Sequence, residues 1–131
     1  MKTEYVSYEI AKQLKKLGFD EPSIVAYDEV TMACTMTGSP FKLLNYNSPS
    51  GCGYVSAPLW QQAREWIAKV HDLDIIIEPY WNSEYQEKNY LVRNTVDVET
   101  HSNFHCYDDA LIRGMERAII LIQKKLKLNG R

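Results

Sequence analysis

Between residues 59 and 70 the apolar positions Leu59, Trp60, Ala63, Trp66, Ile67 and Val70 recur at helical spacing. At about 100° per residue they fall within an arc of about 120°, which predicts a helix with one buried stripe. Ser56 is placed to cap its first turn, and Pro58 stands where a missing N–H costs nothing. The period then changes. Leu73, Ile75 and Ile77 alternate with Asp74, Ile76 and Glu78, the pattern of a strand with one packed face.

The same reasoning extends to both sides. Ser7 predicts the cap of a first helix with a stripe of Ile10, Ala11, Leu14 and Leu17, ended by Gly18 in a left-handed turn, with Phe19 against Leu14. Residues 24–27 and 31–35 read as two short strands around Asp28-Glu29, and 41–44 as a third short one. A hairpin connection at Asn82-Ser83 leads to a strand within 86–93, and Val96 and Val98 alternate with Asp97 and Glu99 as a further strand over 95–100. The last helix is expected from Tyr107 to Leu126, with Asp108 and Asp109 at its positive end and Lys124, Lys125 and Lys127 at its negative end. Leu111, Met115, Ala118, Ile119, Ile122 and Leu126 form its stripe, and Gly114 lies beside that stripe, where it permits close approach to a sheet.

Strand pairs between helices predict an α+β fold: an antiparallel sheet of about four strands packed by three helices in the order α-β-β-α-β-β-α. A length of 131 residues fits a single α+β domain over 1–131. The stretch from Gly38 to Gly53, with Pro40, Pro49 and the run Asn47-Ser48-Pro49-Ser50-Gly51-Cys52-Gly53, is the irregular connection and the first place to look for a binding loop.

Composition narrows the classes. Fifteen Lys plus Arg against 17 Asp plus Glu give a net charge of −2, so no global positive field recruits nucleic acid. The longest aliphatic run, 118–122, is too short to span a bilayer, and the N-terminal residues lack the apolar run of a signal peptide; together these predict a cytoplasmic protein without membrane contact. Three cysteines, Cys34, Cys52 and Cys106, without a C-x-x-C pair read as free thiols in a reducing compartment.

Among chemical motifs, Asp97-x-Glu99-x-His101 would put two carboxylates and an imidazole on one strand face, a set able to hold a divalent metal. A polar strand face carries such residues as a matter of course, and no second motif completes the site. Gly51-Cys52-Gly53 lacks the length and the Lys-Ser/Thr ending of a phosphate cradle, and no G-x-S-x-G elbow occurs. No motif implies a cofactor, and none assigns a catalytic residue. The aromatic content is the stronger signal: nine tyrosines and three tryptophans exceed what a core of this size must hide. Tyr46, Tyr54, Trp60, Tyr80 and Trp81 flank the irregular connection and the ends of the central elements, with Tyr80 and Trp81 the pair expected to be most exposed.

Three segments, Tyr5-Val6-Ser7-Tyr8-Glu9-Ile10-Ala11 with Leu17-Gly18-Phe19-Asp20-Glu21-Pro22, then Val55-Ser56-Ala57-Pro58, then Tyr107-Asp108-Asp109-Ala110-Leu111, resemble a family of small uncharacterised proteins from gut Bacteroides-type bacteria and their prophages. The resemblance implies a prokaryotic, cytoplasmic, phage-associated setting and transfers no catalytic residue. The reading that follows is a non-enzymatic protein-interaction module with an unknown protein partner or a second copy of itself. The alternatives are a small metal-dependent hydrolase or nuclease using Asp97, Glu99 and His101, and a single-stranded nucleic-acid binding protein that would use the aromatics with the lysines of the first and last helices.

Overall fold

The computed structural model describes residues 4–36, 47 and 53–129. Along the chain it contains α1 (Tyr8–Lys16), β1 (Val25–Asp28), β2 (Cys34–Met36), β3 (Tyr54–Ser56), α2 (Trp60–His71), β4 (Ile75–Asn82), β5 (Glu87–Asn94), β6 (His101–Phe104) and α3 (Tyr107–Asn129). Among the described residues the fold is α+β, with three helices and every strand pairing antiparallel. Instead of one sheet of about four strands, the described strands make two sheets of three, ordered β2-β1-β3 and β4-β5-β6. The chain divides into two compact units, Met1–Ala63 and Arg64–Arg131, with α2 running across the division.

In the first unit, Ser7 caps α1 by accepting a hydrogen bond from the Ile10 amide at 3.3 Å. Gly18 takes φ +96° and the Phe19 amide returns to the Leu14 carbonyl at 3.0 Å, so the helix ends as its residues dictate. Ile10, Ala11, Leu14, Phe19, Val25, Ala26, Tyr27 and Val55 are buried. The Asp28 carboxylate accepts from the Val30 and Thr31 amides, which bends β1 into β2. β3 was not expected at all: its pairing of Ala26 with Ser56 takes Ser56 into a sheet and away from the cap of α2. The chain stays extended to Pro58, whose carbonyl accepts from the Val6 amide, and α2 begins only at Trp60. The predicted strand over 41–44 lies outside the described residues.

In the second unit, β4 and β5 pair from Ile75↔Asn94 to Asn82↔Glu87 across the turn at 83–86. α3 lies on the face that carries Ile75 and Val92. A Cβ on Gly114 would stand 2.6 Å from Val92 Cγ2 and 2.7 Å from Ile75 Cγ2, so the absence of a side chain sets the approach of helix to sheet. Residues 95–100 are not the predicted strand; β6 follows at His101. The reason is local. The Asn94 side-chain oxygen accepts from the Val96 and Asp97 amides and the Asp97 carboxylate accepts from the Glu99 amide, so backbone donors that a ladder would use are already taken. Val96 and Val98 consequently face solvent, and Val98 is fully exposed. Among the described residues no helix is long and apolar enough to cross a membrane.

Candidate functional site

Of the five aromatic residues singled out from the sequence, four lie among the described residues, two in each compact unit. Tyr46 lies outside the described residues, as do Cys52 and nearly all of the irregular connection. Tyr54, in β3, and Trp60, at the first turn of α2, belong to the first unit and are half-buried. Tyr80 and Trp81 belong to the second unit and, being neighbours on a strand, point to opposite faces of the sheet. Trp81 is 63% exposed, as expected of it. Tyr80 is half-buried: its hydroxyl donates to Asn103 Oδ1 at 2.5 Å and accepts from the Asn103 amide at 3.0 Å.

That hydroxyl opens a polar network on the sheet face opposite α3. Asn82 Nδ2 donates to Asn89 Oδ1 at 2.7 Å and to Asn103 Oδ1 at 3.3 Å, and Asn89 Nδ2 donates to Glu87 Oε2 at 2.7 Å. His105 Nδ1 stands 2.5 Å from the same Glu87 oxygen. Hydrogen bonds from Asn89 and then His105 hold the Glu87 carboxyl below its ordinary range. Asn89 is wholly buried and Asn82 nearly so, so the network fixes the hairpin end; sequence patterning did not find it, because asparagines at 82, 89 and 103 are brought together only by strand register.

The predicted metal set is brought together, but around a cation the chain itself supplies. Arg117, on α3, donates through Nε and Nη2 to Asp97 Oδ2 at 3.0 and 2.7 Å, and Nη2 reaches Glu99 Oε2 at 3.1 Å. His101 Nε2 pairs with the other Glu99 oxygen at 3.1 Å. Burial pushes the Asp97 carboxyl up, yet the hydrogen bond and charge of Arg117, with Asn94 and the Glu99 amide, outweigh it and leave the group below its ordinary range. The guanidinium thus stands where a divalent ion would bridge the carboxylates, and the cluster pins residues 95–100 to α3. Among the described residues no group of three or more His, Cys, Asp or Glu is placed to hold a metal ion.

Among the described residues, two concavities bear on ligand binding. In the first unit a groove of about 480 Å³ has Val25 and Ala57 in its floor and Tyr5, Ile24 and Leu59 in its walls. Leu59 is 53% exposed and Ile24 37%, although both are bulky aliphatics. Its walls are fixed: Tyr5 and Leu59 pair as an antiparallel bridge, the Trp60 amide donates to the Glu4 carbonyl, and Gln62 Nε2 donates to the Pro22 carbonyl at 3.0 Å. The sequence placed Leu59 in the buried stripe of a helix that, capped by Ser56, would start three residues before the observed one, which is why the groove was missed. In the second unit a pocket of about 370 Å³ lies where the last turn of α2 and residues 72–73 meet Thr95, Val96 and α3.

No family model, no curated protein and no solved structure matches the chain.

Proposed function

We propose that the protein is a non-enzymatic interaction module whose first unit holds an apolar anchor of a protein partner in the groove between Tyr5, Ile24 and Leu59. The carrying observation is that two bulky aliphatic side chains are left exposed in one concavity with an apolar floor and hydrogen-bonded walls. Exposed apolar surface costs free energy in water, about 25 cal/mol for each Å². A rigid apolar recess rimmed by Glu4 and Gln62 suits one or two large side chains of an extended segment, whose burial supplies most of the affinity of such contacts. The prokaryotic, cytoplasmic and phage-associated setting implied by the resemblance belongs to the same proposal. The metal-dependent hydrolase reading is not carried forward, since Asp97, Glu99 and His101 are spent on Arg117 and on one another.

Panning a displayed random peptide library against the whole chain tests the reading. Enrichment of sequences sharing a large apolar anchor is expected, with binding lost in Leu59→Asp while the melting temperature stays unchanged. No enrichment, or enriched peptides that bind Leu59→Asp and Ile24→Asp as well as the unaltered chain, would overturn it.

A further inference from the structure

The second-unit pocket has a composition that the groove lacks. Leu73 and Ile122, both 2% exposed, belong to the core and form its floor, and Val96 and Leu121 complete an apolar wall. Its remaining lining is polar: His71, Asp72, Thr95 and Lys125. Asp72 and Lys125 are exposed and carry opposite charges, and among the described residues neither forms an ion pair. The rim of the pocket thus presents a carboxylate and an ammonium that do not pair with each other, beside an apolar wall.

His71 adds an independent observation. Its ring stands edge-on to Trp66 at 5.0 Å between centroids, and its Nε2 is the single buried side-chain nitrogen or oxygen among the described residues without a hydrogen-bond partner. Buried polar atoms in folded proteins are nearly always paired, so the polar inventory here is incomplete within the chain. Burial, then the Lys125 charge, lower the imidazole's affinity for a proton, so at neutral pH the ring is uncharged and the formal charges of the lining are Asp72 and Lys125.

A volume of about 370 Å³ with one apolar wall and a few polar groups is that of a small-molecule site. We infer that this pocket binds a free α-amino acid with an apolar side chain, its ammonium facing Asp72, its carboxylate facing Lys125 beside the His71 ring, and its side chain on Leu73, Val96, Leu121 and Ile122. A simple fatty acid would leave Asp72 facing its tail, and an alkylamine would leave Lys125 unmatched; the zwitterion alone uses both charges. The site is separate from the groove of the first unit and does not rest on the partner-binding reading.

The test is titration of the full chain, labelled with nitrogen-15, with L-leucine and with its two truncated analogues, 4-methylpentanoate and 3-methylbutylamine, followed by amide chemical shifts. Saturable leucine-induced shifts at residues 71–73, 95–96 and 121–125 are expected, with each analogue at least about tenfold weaker, the loss of one charge-assisted contact. Asp72→Asn should erase the preference for leucine over 4-methylpentanoate only, and Lys125→Gln the preference over 3-methylbutylamine only. Asp72 has φ +53°, which asparagine accepts, and Lys125 is exposed, so both variants keep the fold. Shifts that do not saturate or fall elsewhere would overturn the inference. So would analogues that bind as well as leucine, or variants that leave the preferences unchanged.

Discussion

Gly114 shows how one residue decides a packing distance. Its missing side chain lets α3 lie against Val92 and Ile75, and the methyl groups an added Cβ would meet belong to two buried branched side chains that have nowhere to retreat. Gly114→Ala is therefore expected to destabilise the second unit despite the better helix propensity of alanine, by about 1–3 kcal/mol for overpacking; urea unfolding measures this, and an unchanged or raised midpoint would contradict it. His71 gives a residue-scale prediction in pH. Its folded-state pKa lies below the ordinary 6.5, so the unfolded chain takes up the proton first. Stability is full above about 6.5, falls as the pH drops from there to the folded value, and is level below it. Melting temperatures across pH 8 to 5 should decline for the unaltered chain and decline less for His71→Phe.

At the scale of elements, much was legible because caps and terminators act through nearest neighbours. Ser7, Gly18, Asp28 and the acidic first turn of α3 do in the structure what their chemistry dictates. Two elements were illegible for one physical reason, competition for backbone hydrogen bonds. Ser56 looks like a helix cap until β1 offers its ladder, and residues 95–100 alternate like a strand until Asn94 and Asp97 capture their amides. The latter segment is held by Arg117, which yields an element-scale prediction. Arg117→Met should speed amide exchange over 96–100 while β4 and β5 stay protected; unchanged exchange there would show that the ion pairs hold nothing. The Asp97 carboxyl lies below its ordinary 3.8, so its contribution is present above that pH and is lost as the pH falls through the folded value. Acid should therefore reproduce the effect of Arg117→Met. Asn89→Ala, which leaves the buried Asn82 amide only its longer hydrogen bond to Asn103, should cost about 1–3 kcal/mol, measured by urea unfolding.

For the molecule as a whole, side-chain exposure was less legible than fold. The aromatic candidates were chosen by residue type: Trp81 is exposed as expected, Tyr80 is a strut of the asparagine network, and Leu59 and Ile24, assigned to buried stripe and strand, are exposed as well. Burial depends on register and on where α2 starts: with the start three residues later than its expected cap implies, Leu59 precedes the helix and lines the groove. The two concavities lie in separate compact units, and the ligands proposed for them differ, an apolar protein segment for one and an amino acid for the other.

The most direct test of the central claim is amide chemical-shift mapping of the labelled full chain with the tightest peptide recovered from panning. The account predicts saturable shifts centred on Tyr5, Ile24, Ala57 and Leu59, absent in Leu59→Asp. Shifts that leave these residues untouched and gather elsewhere would contradict it.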